Sequence, residues 1–242
     1  MSKPMDRRGY LLFGAAAMYA GLTSGFREFE PSGPIGRTQD ASGLLSIADL
    51  GDRERPYFDD DPVTASGTGD DSMAFDSDGG FTMVSADHDG EGGLSITASE
   101  TGSSDPVTVV EGVPGTELQG MAMTAATYTV DVAADGDWSL TLAQPRSPAE
   151  EIREPPARAV GTGDAIVGPL DTTNGALVSA EHDGDGPFSV TLFLEAGTGV
   201  FDPETLFETA GEFEESAQTS VAGVAWAVVR TAGSWTLSFD VP

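Results

Sequence analysis

The chain has 242 residues, with 11 Lys+Arg against 40 Asp+Glu and a formal net charge of −29. That balance excludes a nucleic-acid binder, since no basic patch is present to neutralise phosphates. The absence of cysteine excludes disulfides, thiolate catalysis and Cys-based zinc sites together. Disorder is excluded as well, because 39% of residues are hydrophobic and the acids are scattered among alternating apolar runs.

The first element, residues 1–26, reads as an export signal or a membrane-anchor helix. Lys3, Arg7 and Arg8 precede an uncharged run from Gly9 to Phe26, which Arg27 closes. This is a basic n-region followed by an apolar h-region. The run "RRGYLL" resembles the twin-arginine motif, with Asp6 where Ser or Thr is usual. By that resemblance Arg7, Arg8, Tyr10 and Leu11 are read by an export receptor rather than folded into the domain. The leader reads equally as a cleaved signal or as a retained anchor with its basic end inside. Residues 27–62 mix turn residues with one short apolar segment and read as a linker, a stalk or an added strand.

From residue 63 onward the chain repeats itself. "GTGD" at Gly67–Asp70 returns at Gly161–Asp164, an offset of 94 residues. "SADHDG" at Ser85–Gly90 returns as "SAEHDG" at Ser179–Gly184, and the two copies hold the only two histidines. "GDWSLTLAQP" at Gly136–Pro145 returns as "GSWTLSFDVP" at Gly233–Pro242, now offset by 97. The extra residues fall in the loop around "EAGTGVFDPETLF". Within each copy apolar residues alternate with period two: Tyr128, Val130, Val132, then the turn "ADGD", then Trp138, Leu140, Leu142; in the second copy Phe188, Val190, Leu192, Leu194. That is the pattern of half-buried strands joined by Asp-Gly turns. The expected fold is all-β: two tandem homologous antiparallel β-sandwich domains, residues 63–145 and 159–242, each of about seven short strands. Trp138 and Trp235 open the last strand of each and anchor its core. Between them, residues 146–158 form a Pro-rich linker, expected as a semi-stiff spacer with room for one helical turn at "AEEIRE".

Chemistry is sparse. Asp87, His88 and Asp89, with Glu181, His182 and Asp183, are the candidate metal ligands, and a loosely held calcium at an acidic loop is the ion they would suit. The loops match no EF-hand spacing, and each domain offers one His where a metal site usually needs three or four protein ligands. A tight turn, with the imidazole bonded to a neighbouring backbone group, is the plainer reading. No GxSxG, HExxH or phosphate-binding GxxxxGK[ST] occurs, so no catalytic residue is assigned and no cofactor is expected. Trp226 alone among the tryptophans is not repeated in register; exposed, it would be a sugar-stacking platform, and buried, part of a plain scaffold.

Lys3 is the only lysine and Asn174 the only asparagine. Such an Asp/Glu-rich, Lys-poor surface resembles proteins of salt-loving archaea, where a Debye length of about 3 Å at molar salt mutes carboxylate repulsion. The pattern "GTG…HDG…FSV…GxWxLxxxP" looks like tandem β-sandwich modules of secreted prokaryotic proteins, broadly like pre-peptidase C-terminal domains. The resemblance implies an accessory, non-enzymatic role outside the cell: binding, adhesion or scaffolding with a surface protein or glycan partner. The alternative it implies is a polysaccharide- or calcium-binding accessory module of a secreted system. Localisation follows as extracellular or cell-surface, with membrane association through the N-terminus.

Overall fold

In chain order the first half forms β1 (Val63–Thr68), β2 (Asp71–His88), β3 (Leu94–Glu100), β4 (Val107–Gly112), β5 (Gly115–Ala133) and β6 (Asp137–Ala143). The second half forms β7 (Ala157–Thr162), β8 (Ala165–Asp171), β9 (Ala176–His182), β10 (Pro187–Leu194), β11 (Glu204–Ala210), β12 (Phe213–Thr219), β13 (Val224–Thr231) and β14 (Ser234–Asp240). This computed structural model describes residues 62–103, 106–112, 115–196 and 202–242, without the side chains of 112–118. The leader, with Arg7, Arg8, Tyr10 and Leu11, lies outside the described residues, as does the stalk up to residue 61. Among the described residues every regular element is a strand, and every ladder between named strands is antiparallel.

The second half folds into two four-stranded sheets, β11-β10-β13-β8 and β12-β9-β14-β7. Their inner faces share one core. Val167, Leu170, Phe188, Val190, Leu192 and Val229 come from the first sheet, and Val178, Trp235, Leu237 and Phe239 from the second. That is the face-to-face arrangement of a β-sandwich. The first half forms a single six-stranded sheet, β1-β6-β2-β5-β3-β4. Its long strands serve both layers: the C-terminal part of β2 pairs with β6 and with the start of β5, while its N-terminal part pairs with the end of β5. Gly79 and Gly80, at φ 85° and 89°, mark the bend, a conformation costly for any residue with a Cβ. Gln144 holds that bend: its Oε1 accepts the Asp78 N–H at 2.9 Å, and its Nε2 donates to Ser77 Oγ and Thr82 Oγ1.

Pair for pair, the two halves use one scheme. β1·β6 matches β7·β14, and β2·β6 matches β9·β14. The two parts of β2·β5 match β8·β13 and β9·β12. β3·β5 matches β10·β13, and β3·β4 matches β10·β11. Six strands in the first half and eight in the second replace the seven expected for each, because the first half runs straight through corners where the second half breaks.

The connector departs from expectation. Pro148–Glu151 make a turn, closed by Glu151 N–H donating to the Pro148 carbonyl at 2.9 Å, and "AEEIRE" forms no helix. The segment is also tied to its neighbours. Arg153 N–H donates to the Pro169 carbonyl, the Asp171 N–H donates to the Arg153 carbonyl, and Arg146 is bound to both halves. Pro145, Pro148, Pro155 and Pro156 supply no N–H of their own, which disfavours a helix here.

Candidate functional site

The repeated motifs come together at one end of each half. In the first, β1 lies beside β6 so that Gly67 faces Trp138. A Cβ on Gly67 would meet Trp138 Cζ2 at 2.9 Å, and one on Gly161 would run into Trp235 Cζ2. Glycine at these positions therefore lets each indole lie flat on the neighbouring strand. Trp138 Nε1–H then donates to the Gly69 carbonyl at 2.8 Å, and Trp235 Nε1–H to the Gly163 carbonyl at 2.9 Å. The Asp that closes each "GTGD" accepts a backbone N–H: Asp70 from Ala134, Asp164 from Thr231. Thus "GTGD" supplies a ring seat, a carbonyl acceptor and a turn clamp.

The "HDG" segments complete the same corners. Asp89 Oδ1 accepts the Asp137 N–H, and Asp183 Oδ1 accepts the Ser234 N–H, each at 2.8 Å. His88 and His182 are buried, at 2% and 3% exposure, while Asp87 and Glu181, one residue earlier on the strand, face solvent on the opposite side. Alternation of strand side chains accounts for this separation. The three members of each motif therefore do not converge on one point, and among the described residues no group of three or more His, Asp or Glu is placed to hold a metal ion.

The histidines differ in their surroundings. His182 Nδ1 lies 2.9 Å from the Gly211 carbonyl, so it carries the proton and donates. Its Nε2, 2.8 Å from Thr231 Oγ1, accepts that hydroxyl, which in turn accepts the Gly233 N–H. Phe188 stacks on the ring at a centroid distance of 4.9 Å. His88 has neither nitrogen in a hydrogen bond; its Nε2 lies 3.1 Å from Asp135 Oδ1, off the axis of one. Asp135 takes the Gly92 N–H at 2.6 Å through its other oxygen. At the place of Thr231 the first half carries Ala134, which has no hydroxyl to offer.

Trp226 is 0% exposed. Its ring stacks on Phe81 at 6.1 Å and its Nε1–H donates to Glu195 Oε2 at 2.8 Å. With both faces covered it offers no platform for a sugar. The cluster around it, Phe81, Met83, Ala143, Ile166, Phe193 and Val228, joins the two halves. Glu195, unmarked in the sequence reading, is the polar centre of this seam. A shallow cleft lined by Gly80, Met123, Phe193, Leu194 and Pro203 opens beside it.

Two carboxylates of the second half are shifted, and both clamp loops. Hydrogen bonds from the Thr173 side chain and backbone hold the Asp171 pKa below its ordinary value, against a small opposing effect of burial. Burial pushes Glu204 upward, but hydrogen bonds from Thr219, Ser220 and Val221 together outweigh it and leave the pKa lowered.

Compared with protein-family models and with curated protein sequences, the chain matches none.

Proposed function

We propose that this chain is a non-enzymatic surface protein of a salt-adapted archaeon, built by duplication of one β-sandwich module and exported through its twin-arginine-like leader. It binds or scaffolds a partner outside the cell. One observation carries the reading: the repeated aspartates of the "GTGD" and "HDG" segments, and one of the two repeated histidines, are engaged in holding hairpins. Asp70, Asp89, Asp164 and Asp183 each accept a backbone N–H, and His182 has both nitrogens bonded. Catalytic groups are instead held ready toward a cleft, with perturbed titration and a place for substrate. The outer strand faces carry short hydroxyls such as Thr64, Ser66, Ser95 and Thr97, with acids beside them, a surface suited to hydration in concentrated salt. Duplication is supported by the shared pairing scheme and by the motif offsets.

Crosslinking on intact cells in molar salt, followed by mass spectrometry of what is joined to this chain, tests the reading. A stoichiometric protein partner is the expected result. Crosslinks to glycan alone would replace the scaffold with the polysaccharide-binding alternative, and recovery of the chain only from cytoplasm would overturn export.

A further inference from the structure

The seam joins unlike faces. The first half presents Phe81, Met83 and Ala143, and the second Ile166, Phe193, Trp226 and Val228. Pairing identifies the counterpart of each in the other half. Ile166 pairs with Val228 as Ser72 pairs with Asp131, and Phe193 pairs with Trp226 as Ser99 pairs with Thr129. The face that is apolar in the second half is thus built from Ser72, Ser99, Thr129 and Asp131 in the first. Conversely, Met83 and Ala143 of the first half correspond to Leu177 and Asp240, which are exposed. The contact is head-to-tail, and the chemistry that makes it occurs once on each half.

At its centre a buried carboxylate is surrounded by donors. Glu195 is 6% exposed. Its Oε1 accepts the Ser147 N–H at 2.7 Å, and its Oε2 accepts Ser147 Oγ–H and the Trp226 indole N–H. The Glu195 carbonyl accepts Arg146 Nη1–H at 3.0 Å and the Phe81 N–H at 3.2 Å, while Arg146 Nη2–H reaches the Gly79 carbonyl at 2.8 Å. One residue therefore touches the first half, the connector and the second half. Burying a carboxylate is unfavourable unless its oxygens are hydrogen-bonded, and here both are.

We propose that Glu195 is a latch that locks the two halves and their connector into one rigid unit, which opens only when the seam itself comes apart. The inference concerns the mechanics of the chain and does not depend on which partner it binds. Removing the carboxylate strands the Trp226 N–H in the apolar seam and frees Ser147, so the connector loosens next to Arg146. Among the described residues the counterpart faces, with Ser72, Ser99, Thr129 and Asp131 on one half and Leu177 and Asp240 on the other, do not repeat the apolar seam.

Limited trypsin digestion of the full chain in molar salt reads this directly. Among the described residues the only Lys or Arg are Arg146, Arg153, Arg158 and Arg230, three of them in or beside the connector. In the wild type the portion from residue 62 onward resists cleavage, and calorimetry gives one transition. In Glu195→Ala the Arg146–Ser147 bond is cut about tenfold or more faster, the factor set by losing one buried hydrogen-bond partner, and the transition splits in two. Ser147→Ala, which keeps the carboxylate, falls between them. Glu195→Gln, with one carbonyl oxygen left, recovers part of the protection. Two transitions in the wild type would overturn the latch, as would a Glu195→Ala chain as resistant as wild type. So would Ser147→Ala opening Arg230 as fast as Arg146, which would make the residue a general stabiliser rather than a lock on the joint.

Discussion

The halves share a pairing scheme but turn their corners differently. In the first, β2 and β5 run unbroken from one layer to the other, bending at Gly79 and Gly80. In the second, the same places are gaps between β8 and β9 and between β12 and β13, each closed by a carboxylate. Asp171 Oδ1 takes the Thr173 N–H at 2.8 Å, and Glu204 grips Thr219, Ser220 and Val221. A corner can thus be made by backbone freedom or by side-chain capping, with the surrounding ladder unchanged. The histidines repeat the lesson: one position is fully bonded in the second half and left beside a carboxylate in the first.

Substitutions at matched positions separate what is common from what differs. The largest effect is expected from the paired indoles. Trp138→Ala and Trp235→Ala should each lose about 3–5 kcal/mol by chemical denaturation in molar salt, since both rings are 5% exposed and bonded alike. A loss at one and not the other would break the equivalence. Next come the ring seats: Gly67→Ala and Gly161→Ala should cost about 1–3 kcal/mol through overpacking. The second should cost more, because its indole lies closer. Equal cost would show that the strands shift freely. His182→Phe should lose about 1–3 kcal/mol by leaving the Gly211 carbonyl without the imidazole N–H and the Thr231 O–H without its acceptor. His88→Phe should lose less, having no hydrogen bond to break. The smallest effect is on acid stability. Glu204 and Asp171 have lowered folded pKa values, so their contribution is complete above the ordinary values of 4.5 and 3.8. It is lost as pH falls through the lower folded ones. Glu204→Gln should flatten the acid side of a thermal-midpoint titration; an unchanged slope would remove that carboxylate from the account.

Much of the core was legible from alternation, because Val130, Val132, Leu140, Val190 and Leu192 each sit inward where period two puts them. The hairpin at "ADGD" and the anchoring tryptophans follow from the same local rules. The seam was not legible as such, since it depends on two faces meeting across a long separation in sequence. A trace of it was present, though. "AIVGPL" in β8 and "VAWAVV" in β13 are unbroken apolar runs, buried on both faces, where their counterparts "DSMAFD" and "TYTVDV" mix polar with apolar residues. A strand apolar on both sides is covered on both sides, and that run, rather than the lone tryptophan, was the signal. Glu195 left no mark because its counterpart is Thr101 and nothing nearby repeats. The connector misled for a different reason: proline content reports stiffness but not what the chain is tied to.

Phe81 and Met83 are 0% exposed, yet Ile166, Phe193, Trp226 and Val228, which cover them, come much later in the chain. During synthesis the first half is therefore complete while its apolar end is still bare. At ordinary elongation rates the interval before Val228 appears is on the order of ten seconds, far longer than the collapse of a small β-domain's chain. For that time a nascent molecule carries an adhesive surface that the finished one lacks. Crowded ribosomes on one message would bring several such surfaces together, so the pace of translation through the second half sets how much chain reaches its final form.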